Sequence, residues 1–170
     1  MDDRLGVSIR TLEGSELALI EREFPAPEER KHRDRFLRQQ AGEARYLFAW
    51  VEAEPVGHLF LRYGGARSEL LAAWVHSCPH IEDLLVKPAW RNRGVGSVLL
   101  EAAEQAAATR GFHRIGLSVS TSNEGARRLY ARRGYADCGL GEYPTVGSYR
   151  AADGTVRSWS DFSVYLVKKL

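Results

Sequence analysis

The stretch Arg91 to Gly111, RNRGVGSVLLEAAEQAAATRG, sets two arginines and two glycines directly before a long alanine-rich segment. In that segment Val95, Val98, Leu99, Ala102 and Ala106 recur at i, i+3, i+4, i+7 and i+11, the spacing of one helix face, and Gly111 stands where helices commonly end. The spacing therefore predicts a loop that feeds a helix without delay. The first four amides of a helix have no intrahelical partner, and its dipole adds partial positive charge at that end. Gly94 and Gly96 keep side chains away from those amides, while Arg91 and Arg93 add charge suited to phosphate oxygens. The loop reads as an anion site, with room for two phosphates in a row.

Which phosphate ligand it serves follows from what is missing. A P-loop requires a lysine and a hydroxyl in succession after its last glycine, and that pair is absent. A dinucleotide fold requires a third glycine where Leu99 stands, and an acid about 20 residues on, where GLSVS offers no carboxylate. Outward from the loop, HIEDLLV (80–86) reads as a strand ended by Pro88. FHRIGLSV (112–119) is a second strand, with Ile115, Leu117 and Val119 on one face, and NEGARRLYARRG (123–134) a second helix. Leu5 to Leu12 reads as a first strand, and EGSELALIEREF and PEERKHRDRFLRQQAG as two helices, the second ending at Gly42. RYLFAWV and VGHLFLRY make a hairpin, and GGARSELLAAWVHSCP is irregular. Turns are expected at Tyr143-Pro144 and Asp153-Gly154 before a closing strand, FSVYLV.

Length and composition set the outer bounds. With 170 residues, 44% hydrophobic and 27% charged, the chain reads as one globular domain over 1–170, long enough to bury a core. A formal charge of +2 is too small for bulk nucleic-acid binding, so an anionic partner is met locally. Cys78 and Cys138 have neither C-x-x-C nor metal spacing, and no apolar run approaches the length of a membrane span. The expectations are a cytoplasmic protein, no metal, no nucleic acid and no membrane partner.

Taken together, IEDLLVKPAWRNRGVGSVLL and LSVSTSNEGARRLYARRGY resemble the acetyl-coenzyme A binding core of the GCN5-related N-acetyltransferase (GNAT) superfamily. That pattern has a strand ending in Val-x-Pro, then [Gln/Arg]-x-x-Gly-x-[Gly/Ala], a further strand, an Asn, and Leu-Tyr with Gly-Tyr close behind. It covers residues 80 to 135 in order and spacing. The resemblance implies a mixed α+β domain: a mostly antiparallel sheet of about seven strands, splayed between the fourth and fifth, with about four flanking helices. It implies acetyl-coenzyme A as co-substrate, its pyrophosphate on Arg91, Asn92, Arg93, Gly94, Val95, Gly96 and Ser97. The pantetheine arm would run along Leu84, Leu85 and Val86, with Asn123 beside it and the Val86 amide facing the thioester oxygen. Tyr130 would protonate the leaving thiolate.

For the base that deprotonates the acceptor amine, the resemblance points to Glu82 first and His80 second, two residues apart on one strand face. The function implied is direct acetyl transfer to a primary amine on a small molecule or peptide, and the family also allows a homodimer. The alternative is a coenzyme A binding module without turnover, which the presence of Tyr130, His80 and Glu82 disfavours. Glu21, Glu23, Phe24, Trp74, Tyr143 and Trp159 are candidates to line the acceptor site, a cationic, partly apolar amine being the ligand they would suit.

Overall fold

The computed structural model describes residues 6–26, 30–151 and 153–170. In chain order the strands are β1 (Val7–Thr11), β2 (Ala44–Val51), β3 (Glu54–Arg62), β4 (His80–Val86), β5 (Arg114–Ser120), β6 (Ala136–Asp137), β7 (Tyr143–Arg150) and β8 (Val156–Lys169). The helices are α1 (Leu17–Glu23), α2 (Lys31–Gln40), α3 (Glu69–Trp74), α4 (Val95–Thr109) and α5 (Glu124–Arg132). The strands form one sheet in the order β1-β2-β3-β4-β5-β8-β6, with β7 paired to β8 off that path. Every pair is antiparallel except β4 with β5, as the order strand, helix, strand around α4 requires.

This is the mixed, mostly antiparallel α+β sheet expected, with one strand and one helix more than the reading gave among the described residues. The added strand, β6, is two residues long and carries no periodicity to read. The added helix, α3, lies in the stretch read as irregular; its six residues are too few for a helical pattern to stand out. Tyr143-Pro144 opens β7 instead of making a turn, because Pro144 sits on a strand with a partner on one side only, where a missing N–H is tolerated. Asp153-Gly154 does turn, with the Gly154 amide donating to the Ala151 carbonyl. β8 runs well upstream of FSVYLV, since Val156 to Asp161 pair along β7. Of the early elements, Leu5 and Pro27 to Glu29 lie outside the described residues.

β2 and β3 are buried along almost their whole length, so the sheet has a core on each face. On one face α4 packs over Leu59, Leu61, Ile81, Ile115, Leu117 and Val164. Its buried stripe is Val95, Leu99, Leu100, Ala103 and Ala107. The expected stripe of Val98, Ala102 and Ala106 is its half-buried margin, because the Leu100 side turns inward. On the opposite face α1 and α2 cover Tyr46, Phe48, Trp50 and Phe60.

One irregularity shapes everything that follows. Phe60 lies opposite Glu82 and His58 opposite Leu85, so two steps of β3 span three of β4. The extra residue is a β-bulge, with Asp83 in the left-handed region at φ 57°. β4 pairs with β5 at His80 and Ile81, with no registered pair beyond them. From Glu82 onward the two parallel strands part, and the edge of β4 faces an opening.

Candidate functional site

The opening between β4 and the heads of α4 and α5 is a cavity of about 650 Å3. The parted strand edge lines it with Leu84, Leu85 and Val86, and the loop with Arg91, Asn92, Gly94, Val95, Gly96 and Ser97. Asn123 and Tyr130 of the second strand–helix unit complete it. Of the residues expected at a coenzyme A site, Arg93 alone is not on this wall; its guanidinium lies over the Trp90 ring at 5.2 Å.

The two glycines contribute differently. Gly94 caps α4 at φ 90°, a conformation that a Cβ disfavours, and Asn92 enters the same region at φ 59°. Gly96 is helical, and a Cβ there would come within 3.2 Å of Leu129 Cδ2. Its bareness lets α5 approach the head of α4 as well as leaving the amides clear. Arg91 is anchored by donating from Nε to the Val86 carbonyl at 3.0 Å, which ties the loop to the end of β4. Asn123 caps α5, its Oδ1 accepting from the Ala126 amide at 3.1 Å.

Tyr130 is buried against Tyr135, and burial alone pushes its phenol up to about 12. It stays protonated at neutral pH, on the wall of the first cavity.

A second cavity, about 350 Å3, lies on the other side of β4. Leu85 and Arg91 line both cavities, so the two meet at the end of β4. Among its walls are Glu23 and Phe24 from the end of α1, Lys31 and His32 from α2, His58, Asp83, and the outer part of β7. Lys87 closes one side, paired with Glu23 at 2.9 Å and Glu54 at 3.1 Å. Glu23 and Phe24 were expected here. Glu21, Trp74, Tyr143 and Trp159 are not on this wall. Tyr143 is instead buried and donates to Ser118 Oγ at 2.7 Å, and the Trp74 indole reaches the Cys138 carbonyl.

The residues expected as bases line neither cavity. Glu82 accepts from Arg62 at 3.1 Å and lies within 3.7 Å of Arg35 and 3.6 Å of Arg67. Three guanidinium groups make it the hub of an ion network joining α2, β3 and β4. His80 is buried, with Nδ1 3.1 Å from the Tyr165 hydroxyl, and burial pushes its imidazole down to about 4. Cys78 is buried too, its thiol pushed up to about 11 by desolvation, which leaves it a poor nucleophile.

Sequence reasoning passed over two groups in the second cavity. His58 interrupts an otherwise apolar strand, VGHLFLRY, and Asp83 follows Glu82 where alternation predicts one acid, not two. Both are visible as breaks in pattern, but the break at Asp83 has meaning only once the bulge is known.

Among the described residues no group of three or more His, Cys, Asp or Glu is placed to hold a metal ion, and no helix is long and apolar enough to cross a membrane.

Comparison with known proteins gives a consistent answer. The acetyltransferase (GNAT) family profile matches residues 15–135. The chain is 42% identical over 60 residues to streptothricin acetyltransferase of Streptomyces lavendulae, covering 35% of this chain and 32% of that one. It is 30% identical over 84 residues to the thialysine N-ε-acetyltransferase of Sus scrofa, covering 49% of each. The matches thus span a third to a half of the length of these relatives. Among solved structures, an N-acetyltransferase of Thermoplasma acidophilum in complex with coenzyme A superposes with a TM-score of 0.63 at 14% identity, covering 96% of this chain and 99% of that one. With a family profile matched across most of its length and the same fold in its structural neighbours, this chain belongs to the GNAT acetyltransferase family.

Proposed function

We propose that the protein transfers an acetyl group from acetyl-coenzyme A directly to a primary amine, with both substrates bound together. The observation that carries this reading is the pair of cavities meeting at Leu85 and Arg91: one shaped by the glycine loop at the head of α4 and a free strand edge, the other a separate space with room for an acceptor. The pyrophosphate sits on the amides at the head of α4, with Arg91 beside it. The pantetheine arm adds to the β4 edge between Leu84 and Val86, an extended segment completing the parted sheet. The Val86 amide polarises the thioester carbonyl, and Tyr130 gives its proton to the departing sulfur. A phenol pushed up to about 12 is protonated in essentially every molecule at neutral pH, so a proton is at hand when the sulfur leaves.

Several things support this reading over a binding module without turnover. Tyr130 lines the first cavity with its phenol protonated, and a second cavity adjoins the first. The curated relatives are named as acetyltransferases, and the Thermoplasma neighbour was solved with coenzyme A. An acceptor space of about 350 Å3 fits a small amine or the end of a peptide.

The test is thermal unfolding with acetyl-coenzyme A, NAD, NADP and ATP at matched concentration, followed by thiol release with a panel of amines. The expected result is stabilisation by acetyl-coenzyme A, about 2.7 kcal/mol at a hundred times its dissociation constant, and amine-dependent thiol release. No shift with acetyl-coenzyme A, or a larger one with NAD, overturns the cofactor; a full shift without thiol release for any amine favours the binding module.

A further inference from the structure

We infer that the acceptor is an amine with a carboxylate close to its nitrogen, as in a free amino acid, and that the Arg91 guanidinium holds this carboxylate where the two cavities meet. This rests on the transferase reading above and deepens it by naming the class of acceptor.

Most charges on the wall of the second cavity are already paired. Glu23 accepts from Lys87 at 2.9 Å, and Lys87 also reaches Glu54 at 3.1 Å. Asp83 Oδ2 takes both Arg35, at 2.7 Å, and Lys31, at 2.8 Å. Among the described residues, each carboxylate on that wall therefore already holds a cation, and an acceptor with a second positive charge finds none left to itself. Arg150 is engaged with backbone, donating to the Ala26 and Gly154 carbonyls at 3.1 and 2.8 Å.

Arg91 differs from these. It is exposed, it lines both cavities, and no ion pair holds it among the described residues. Its Nε donates to the Val86 carbonyl at 3.0 Å, which fixes the head of the side chain without neutralising it. A guanidinium has five N–H donors, so four remain, all on the two terminal nitrogens. Those nitrogens form the flat fork that pairs with both oxygens of a carboxylate, and four N–H groups also suffice for a phosphate oxygen on the donor side.

The anchor sets how far the carboxylate can be from the amine. Val86 is the residue whose amide is proposed to polarise the thioester carbonyl. A guanidinium tied to the same residue stands beside the reacting end of the donor, so a carboxylate on it lies close to the attacking nitrogen. In an amino acid one carbon separates the two groups. Phe24, Pro25, Pro88 and Tyr149 give the rest of the cavity an apolar and aromatic wall, and its volume of about 350 Å3 holds an ordinary side chain. The cationic amine expected from the sequence is not favoured, since Glu21 is not on this wall and Glu23 is taken by Lys87.

The experiment compares acceptors in pairs that differ only by the carboxylate: L-phenylalanine with phenethylamine, L-leucine with 3-methylbutylamine, and L-methionine with 3-(methylthio)propylamine. Thiol release is followed at saturating acetyl-coenzyme A. In at least one pair the amino acid is expected to have the higher kcat/KM, by about tenfold or more, and Arg91→Gln is expected to lower that ratio by about the same factor. Both members of a pair meet the same donor complex, so a loss of acetyl-coenzyme A affinity in the variant cancels from the ratio, as does the difference in amine basicity. Equal use of amino acid and plain amine overturns the inference, as does a ratio unchanged in Arg91→Gln or transfer to other amines with none to these amino acids. Should Arg91→Gln not fold, inhibition of the wild type decides: 3-phenylpropanoate should compete with the acceptor about tenfold or more better than 3-phenylpropanamide, and equal inhibition overturns the inference. If acetyl-coenzyme A fails to stabilise the wild type, or no amine releases thiol, the transferase reading falls, and this inference with it.

Discussion

At the scale of single residues, the catalytic proposal separates groups that touch the reacting atoms from groups that hold the frame. Tyr130→Phe removes one oxygen, with the ring left in place against Tyr135. Turnover is expected to fall by about a hundredfold with acetyl-coenzyme A binding unchanged, as checked by steady-state thiol release beside thermal shift. Glu82→Gln is expected to do the reverse. It leaves three arginines without their shared anion, and of these Arg35 and Arg62 are largely buried. The urea midpoint should drop by the equivalent of about 1–3 kcal/mol while the pH dependence of kcat/KM keeps its shape. A flattened pH limb in this variant would give the role of base to Glu82.

At the scale of elements, the decisive contact is between the head of α4 and its surroundings. Gly94→Ala forces a Cβ into φ 90°, at a cost of about 1 kcal/mol, or a fall in Tm of about 2–4 °C, and it displaces the amides proposed to hold the pyrophosphate. Weaker stabilisation by acetyl-coenzyme A than in the wild type is the expected readout. Gly96→Ala presses on Leu129 Cδ2 at 3.2 Å, so it should disturb the α4–α5 junction while φ remains relaxed. The loop and both helices were legible because each carries its own signal: glycines, a 3.6-residue period and an Asn cap. β6 and α3 were not, since elements of two and six residues are held by the partners they pack on and not by local pattern. The bulge in β4 belongs to the same class, because an extra residue is defined by the strand across from it.

At the scale of the whole molecule, burial of histidines sets the response to acid. His32, His58 and His80 all have folded values below the ordinary imidazole range, chiefly through desolvation. Asp83 is likewise held below its ordinary range. For each, the unfolded chain binds the proton more readily, so the stability they contribute is present at pH 7 and is lost as the pH falls. For the histidines the loss begins near pH 6.5 and continues toward about 4 for His80 and about 3 for His58, at about 1 kcal/mol per pH unit for each buried imidazole. Urea midpoints measured between pH 7 and pH 4.5 should therefore fall steadily, and His58→Gln should reduce the slope.

The sequence by itself determined the family core from Ile81 to Tyr135, the order of its strands and helices, and the glycine loop at the head of α4, because these depend on contacts within a few residues of one another. Tertiary structure decided which polar groups reach a cavity. Glu82 and Asp83 are adjacent in the chain, yet the bulge sends one into a network of arginines and the other to the wall of the second cavity. His58 reads as one polar break in an apolar strand until α1 and α2 fold over it and close off the water that would otherwise have been its partner.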